Sequence, residues 1–365
     1  LRLVDLIAGA RPNFMKIAPI IRAIQARDGE VDGIRYRLVH TGQHYDASMS
    51  SDVFGELGIP EPHVNLEVGA GTHARQAADI MTRYEDLLGQ ARPKMTVVVG
   101  DVTSTVACAI TARKLGIEVA HVEAGLRSGD PTMPEEINRI VTDSISNYFF
   151  TTSASASRNL RDTGIPDERI FFVGNTMIDT LLSNMSRLAQ PPFWTELCLA
   201  PKRYFVVTLH RPANVDTGES LGELLKAIGE GARGEPCIFP AHPRTAKTLS
   251  ELGSLPGNII VVDALPYLQF NFLVKHSRAV ITDSGGITEE ATVMGVACMT
   301  LRNNTERPET VSIGTNELLG TNSDAIGPAF DRVFAGGWKR GGIPELWDGR
   351  SATRIVDHLS RILGD

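Results

Sequence analysis

The sequence predicts an α/β protein built on doubly wound parallel sheets, and three observations predict it. Short β-rich apolar runs alternate with stretches of helical spacing along the whole chain. The rhythm breaks once, in the Pro-containing stretch "SRLAQPPFWTELCLAPKRY", and then restarts. The halves on either side also resemble each other. "TVVVGDVTSTVACAITARKLGIEVAHVEAG" and "AVITDSGGITEEATVMGVACMTLRNNTERP" are both strand, polar turn, helix, glycine and strand. A chain of 365 residues suits two such domains.

Taken in order, the first-half strands are Leu1–Ala8, Tyr36–His40, Met95–Val99, Glu118–Val122 and Tyr148–Thr151. The second set is Tyr204–Thr208, Cys237–Pro240, Ile259–Val262, Ala279–Ile281 and Ala297–Leu301. We read two Rossmann-like domains facing a cleft, residues 1–174 and 175–351. The terminal segment 352–365 carries Ile355, Leu359 and Ile362 at helical spacing and is expected to pack back on the first domain. The Pro-containing stretch between the two sets reads as a looser linker.

Composition narrows the function. Hydrophobic residues make up 42% and charged residues 22%, a globular balance with a full core. The net charge of −7 argues against nucleic acid or an anionic membrane as partner. Cys108, Cys198, Cys237 and Cys298 show no paired or zinc-type spacing and read as reduced thiols. No stretch approaches the roughly 20 apolar residues of a membrane span, and no signal-peptide pattern opens the chain, so a cytoplasmic location is expected.

Ligands of such sheets bind beyond the carboxyl ends of the strands, which directs attention to the residues after each run. After the first comes "AGARPNFMK", without the GxGxxG of a dinucleotide site, so NAD is not expected. Arg11 and Lys16 there are either a solvated pair or an anion clamp at a helix start. Asp101 and Glu123 each follow a strand, and "TMPEEINRIVTD" adds acids at a helix opened by Pro134. Glu135 and Glu136 are both spaced to pair with Arg139. Each carboxylate alone suits a cap or ion pair; together they suit an acid–base cluster. His210 and His242 follow second-half strands, each with an arginine nearby, and no histidine spacing suggests a metal.

"TDSGGITEE" places Ser284, Gly285 and Gly286 before a helix, where bare amides and close backbone approach suit a phosphate. Glu289 and Glu290 read as first-turn acids, Glu289 explained by the helix dipole alone.

Taken together, the blocks "GARPNFMKIAPI", "TGQHYD", "VVGDVTST", "AHVEAGLRS", "MPEEINRIVTD", "VGNTMIDTL", "HRPANVD", "TDSGGITEEATVMGV" and "RNNTERPE" resemble the non-hydrolysing UDP-N-acetylglucosamine 2-epimerases. They run in the family's order from residue 9 to about 311. The resemblance implies a GT-B-type arrangement, a homodimer, and reversible inversion at C2 of a UDP-linked acetamido sugar without a redox cofactor. It implies catalytic roles for Asp101, Glu123, Glu135 and His210. It implies nucleotide contacts for Arg11, Lys16, Phe270, Ser284, Gly285, Gly286, Glu290 and Arg307, with Glu290 accepting from the ribose hydroxyls. Some members hold a second, regulatory UDP-sugar at positions matching Gln43, His44, Arg75 and His242. The chain departs from the family pattern at Thr288, often glutamine, at "GDVTS", at Pro212-Ala213-Asn214 and at Asp46.

The implied chemistry avoids removing a non-acidic C2 proton directly. UDP leaves C1 as the C2 proton is lost, giving a glycal-type alkene, and both add back with the proton on the other face. Such a step needs a stabilised departing diphosphate and acid–base groups at C2. Four other readings stay open: a glycosyltransferase, a hydrolysing epimerase, a non-catalytic UDP-sugar sensor, and an epimerase acting on a 2,3-diacetamido uronic acid. The product would supply an amino sugar for a surface polysaccharide.

Overall fold

The computed structural model describes residues 2–27, 33–42, 55–215, 218–241 and 243–364. Two compact units emerge, Leu1–Ser183 with Glu345–Asp365, and Asn184–Pro344. The first holds β1 (Arg2–Ala8), β2 (Ile34–His40), β3 (Val64–Asn65), β4 (Met95–Val99), β5 (Glu118–Val122), β6 (Tyr148–Thr151) and β7 (Ile170–Phe172). All its pairs are parallel, in the order β3-β2-β1-β4-β5-β6-β7. The second holds β8 (Phe205–Thr208), β9 (Cys237–Ala241), β10 (Ile259–Asp263), β11 (Ala279–Thr282), β12 (Ala297–Thr300) and β13 (Asn316–Leu318). Its order is β10-β9-β8-β11-β12-β13, again all parallel. In each sheet the order reverses beside the first strand, between β1 and β4 and between β8 and β11. That reversal opens a crevice at the strands' carboxyl ends.

Both faces of the second sheet are covered, which is why its strands are continuous apolar runs. Phe205, Val207, Phe239, Ile281 and Met299 pack on one side with Leu224, Ile228 and Phe330. Val206, Ile238, Val280 and Cys298 point the other way, against Trp194, Leu273 and Val274. In the first unit, Ile7, Val39, Val98 and Val119 pack against Tyr84, Ala107 and Cys108.

The structure differs from the sequence reading in three places. Strands β3, β7 and β13 are additional; each has two or three residues at a sheet edge, too short to show a period. The Pro-containing stretch is ordered, with Trp194 buried in the helix Phe193–Glu196 and set edge-on to Tyr204 at 5.3 Å. The chain crosses between units at Ser183–Asn184 and Pro344–Glu345, not after residues 174 and 351. Thr180 Oγ1 donates to Met15 O at 2.6 Å, which keeps the helix Thr176–Asn184 with the first unit. Trp347 Nε1 donates to Thr152 O at 3.0 Å and does the same for the returning segment. The helix Ser351–Gly364 packs on the helix Arg11–Gln25, and Asp179 caps it by accepting from the Ser351 and Ala352 amides at 3.1 and 2.7 Å.

Candidate active site

In the first unit, β1 ends at Ala8 and the helix Arg11–Gln25 begins almost at once. Asn13 fixes this turn. Its Oδ1 accepts from the Gly9 and Ala10 amides, and its Nδ2 donates to Val99 O at the end of β4, 2.9 Å away. One turn further on, buried Lys16 pairs its ammonium with Glu123. Glu123 follows β5 with φ of 68°, a left-handed conformation that a non-glycine residue holds only where its surroundings compel it. Gly100, at φ 70°, leaves the room: a Cβ there would come 3.3 Å from both Glu123 Oε2 and Lys16 Nζ.

Asp101 is the next residue. Its Oδ2 accepts from Arg139 Nε at 3.0 Å, and its carbonyl accepts from Asn138 Nδ2 at 2.8 Å. Buried Arg139 also donates to Glu136 Oε2 at 2.6 Å, and Glu136 accepts from the Ser128 and Gly129 amides. Of the two spacings legible around Arg139, the shorter one forms; Arg139 turns to Glu136 and Asp101, not to Glu135. Glu135 is exposed at the start of the helix Pro134–Ile145. It lies three and four positions before Asn138 and Arg139, on the helix face that touches Asp101.

In the second unit the central residue is Asp283, fully buried just past β11. It accepts from the His210 and Arg211 amides, from Asn214 Nδ2 at 3.0 Å, and from His210 Nδ1 at 2.7 Å. Burial alone would push its carboxyl up, but the His210 hydrogen bond and charge, with Asn214 and the Arg211 amide, hold it below the usual range. With Nδ1 committed and the His210 side chain 57% exposed, Nε2 is the end of the ring available to a ligand.

The helix Gly285–Met294 starts beside this loop, with Ser284 as its N-cap. The first-turn amides of Gly285 and Gly286 have no intrahelical acceptor. The Ser284 amide is already given to Thr282 Oγ1 at 3.0 Å, so Ser284 has its hydroxyl to offer. A Cβ on Gly285 would lie 2.7 Å from Arg307 Nη1, which places a guanidinium against the helix start. Arg307 is braced by Glu289 and Glu306, and Glu306 by Arg302 at 2.7 Å.

Here the sequence reading needs correction. No acid stands in the first turn, and Glu289 serves as an ion-pair partner for Arg307 instead of a dipole complement. Glu290, one residue on, is buried and accepts from Tyr267 OH at 2.8 Å and Asn271 Nδ2 at 3.4 Å. Burial first, and the Glu290 charge second, push the Tyr267 phenol up, so it stays a donor. Thr288 Oγ1 donates to Gly285 O at 2.6 Å, inside its own helix. Phe270 is half-buried against the cluster that contains Trp194.

Gln43, His44, Asp46 and His242 lie outside the described residues, as does the side chain of Arg11. Arg75 is exposed near the start of the helix His73–Gln90. Among the described residues no His, Cys, Asp and Glu group could hold a metal ion, and no helix is long and apolar enough to cross a membrane. Asp283, Tyr267 and Asn271 escaped the sequence reading, and Arg139 entered it only as a partner for the acids on its own helix. Of those that escaped, only Asp283 had a signal, its place directly after a strand.

Two units of this strand order, one edged with paired carboxylates and the other with a glycine helix start beside a guanidinium, place the chain in the GT-B class of α/β proteins. The comparisons are narrower. A family model described as UDP-N-acetylglucosamine 2-epimerase matches residues 27–360. The UDP-N-acetylglucosamine 2-epimerase of Methanocaldococcus jannaschii is 40% identical over 98% of each chain. The crystal structure of the M. jannaschii enzyme in complex with UDP-GlcNAc and UDP matches 98% of this chain and 99% of its own, at 39% identity and a TM-score of 0.88. The UDP-2,3-diacetamido-2,3-dideoxy-D-glucuronate 2-epimerase of Pseudomonas aeruginosa is 36% identical over 98% of this chain and 99% of its own. The chain belongs to the UDP-N-acetylglucosamine 2-epimerase family.

Proposed function

We propose that the chain interconverts UDP-N-acetylglucosamine and UDP-N-acetylmannosamine. UDP departs from C1 with the electron pair of the C1–O bond while a carboxylate takes the C2 proton. A 2-acetamidoglucal and UDP result, and re-addition with the proton on the opposite face completes the inversion. The observation that carries this reading is the set of acids at neighbouring strand ends: Glu123 beside Lys16, Asp101 beside Arg139, and Glu135 on the helix face that touches Asp101. One of these carboxyl groups serves as base for the C2 proton, and another, carrying a proton, delivers it on the opposite face.

In this reading the second unit holds the nucleotide. The Gly285 and Gly286 amides, the Ser284 hydroxyl and Arg307 take the diphosphate, and His210 Nε2 stabilises the charge that grows as it leaves. Glu290 accepts from the ribose hydroxyls, and Phe270 lines the nucleotide. Support comes from the M. jannaschii relative, whose crystal structure holds UDP-GlcNAc and UDP.

Turnover of UDP-N-acetylglucosamine in D2O tests the reaction. Deuterium should enter C2 of product and recovered substrate, with no added NAD(H). Full retention of the C2 hydrogen would remove the elimination route, release of free sugar would indicate hydrolysis, and binding without turnover would indicate a sensor. A second reading, a 2,3-diacetamido uronic acid substrate, is favoured by the P. aeruginosa relative; comparing kcat/KM on the two UDP-sugars decides it.

The working form is a homodimer in the cytoplasm whose product feeds a surface polysaccharide. Ile137 and Ile140, 53% and 48% exposed on one helix, suit contact with a second copy. A monomer mass by light scattering would refute the dimer.

A further inference from the structure

The proposed reaction leaves unused a fully buried histidine, His121, one residue before the end of β5. Its Nε2 lies 2.8 Å from Gly100 O and its Nδ1 lies 2.7 Å from Asp143 Oδ1. A carbonyl oxygen can only accept, so Nε2 carries a proton. Asp143 also accepts from the Gly125 amide at 3.1 Å and from Arg127 Nη1 at 2.6 Å. Both ring nitrogens are thus engaged, one by a carbonyl and the other by a carboxylate.

What the ring joins gives it a role. Gly100 sits between the end of β4 and Asp101. Asp143 rides the helix Pro134–Ile145, which also carries Glu135, and its second oxygen holds Gly125, two residues beyond Glu123. One buried ring and its carboxylate thus tie together the backbone segments that present Asp101, Glu123 and Glu135.

We infer that His121 is a positioning residue, bridging Gly100 O and Asp143 through its two ring nitrogens to hold the Gly100–Asp101 turn in register with the helix bearing Glu135. The inference rests on the acid–base reading of those carboxylates. It differs from a packing role in what its loss should do: displace reacting groups without disturbing nucleotide binding in the other unit.

The test compares His121→Asn with His121→Gln in the full chain. Asparagine reaches Asp143 but falls short of Gly100 O; the glutamine amide reaches the position of Nε2. His121→Asn should lower kcat about a hundredfold, the cost of roughly an ångström of misplacement, with KM and UDP affinity within about twofold. His121→Gln should recover most of that loss. Folded variants that both stay within about threefold of the parent in kcat overturn the inference, as does a UDP affinity that falls in step with kcat. If the variants do not fold, 15N NMR of the parent decides: a hydrogen-bonded proton on His121 Nε2 supports the inference, and a bare Nε2 overturns it. Asp101→Asn, measured alongside, separates the two claims. Loss in Asp101→Asn but not in His121→Asn overturns positioning alone, whereas an unimpaired Asp101→Asn overturns the acid–base reading beneath it.

Discussion

At the carboxyl edge of the first sheet, four acids are met by cations: Glu123 by Lys16, Asp101 and Glu136 by Arg139, Asp143 by Arg127. At the same edge of the second sheet, one aspartate, Asp283, gathers backbone amides, an amide side chain and an imidazole, while the neighbouring helix leaves its first-turn amides open. The strand order is shared, so the difference lies in the turns. In the first unit Asn13 closes the β1 turn onto β4 and acids fill the strand ends; in the second, a serine and two glycines keep side chains away from a helix start. One edge suits moving protons and the other suits holding an anion.

The sharpest way to break this comparison is to neutralise the acids. Asp101→Asn, Glu123→Gln and Glu135→Gln should each lower kcat by about 10²–10⁴-fold, the usual contribution of a positioned acid–base group. UDP affinity by calorimetry should barely move if the edges divide the work. A variant within about threefold of the parent would remove that residue from the acid–base set.

Asp283 comes next. Asp283→Asn keeps one accepting oxygen but turns an NH2 toward donors that the second oxygen had satisfied, so His210 is held less firmly and kcat should fall about 10- to 100-fold through misorientation. It should also cost about 1–3 kcal/mol of stability at neutral pH, because buried donors lose a charged partner. The pH dependence has a definite sign. An acid held below its ordinary value of 3.8 contributes stability above that value and loses it as pH falls through the lower, folded value. Melting temperatures of parent and variant should therefore differ most at neutral pH and converge below 3.8. A gap that widens on acidification would contradict the arrangement.

Glu290→Gln sharpens the anion-binding side. The glutamine oxygen can still accept from Tyr267, so the fold should persist while UDP binding weakens by about 1–3 kcal/mol, the worth of charge-assisted hydrogen bonds. Unchanged UDP affinity would detach Glu290 from the nucleotide.

The smallest expected effect is on the stability of Glu135→Gln. Arg139 is engaged by Asp101 and Glu136, and Glu135 is exposed, so the melting temperature should shift by no more than about 0.5 kcal/mol permits. A large drop would mean that Glu135 is structural and would reassign it.

Much of this was legible from residue order alone. Continuous apolar runs mark strands covered on both faces, Pro134 marks a helix start, and Ser284-Gly285-Gly286 marks a helix start open to an anion; each is a local property of a few neighbouring residues. Which residues follow a strand is equally local, and that brought Asp101, Glu123 and His210 into view. The pairings were not local. Lys16 meets Glu123 across 107 positions, Asp101 meets Arg139 across 38, and the His210 amide meets Asp283 across 73. Each depends on which strands lie side by side at the reversal of sheet order. Spacing alone allowed Arg139 two partners on its own helix; the turn after β4 brought Asp101 within reach, and Glu136 alone of the two helix acids closed on the guanidinium. The short edge strands β3, β7 and β13 exist only because a neighbour offers its backbone. Periodic burial and turn chemistry act within a few residues, so the sequence by itself determined the two sheets and the residues at their edges; only the folded chain, which decides what lies opposite each side chain, determined their partners.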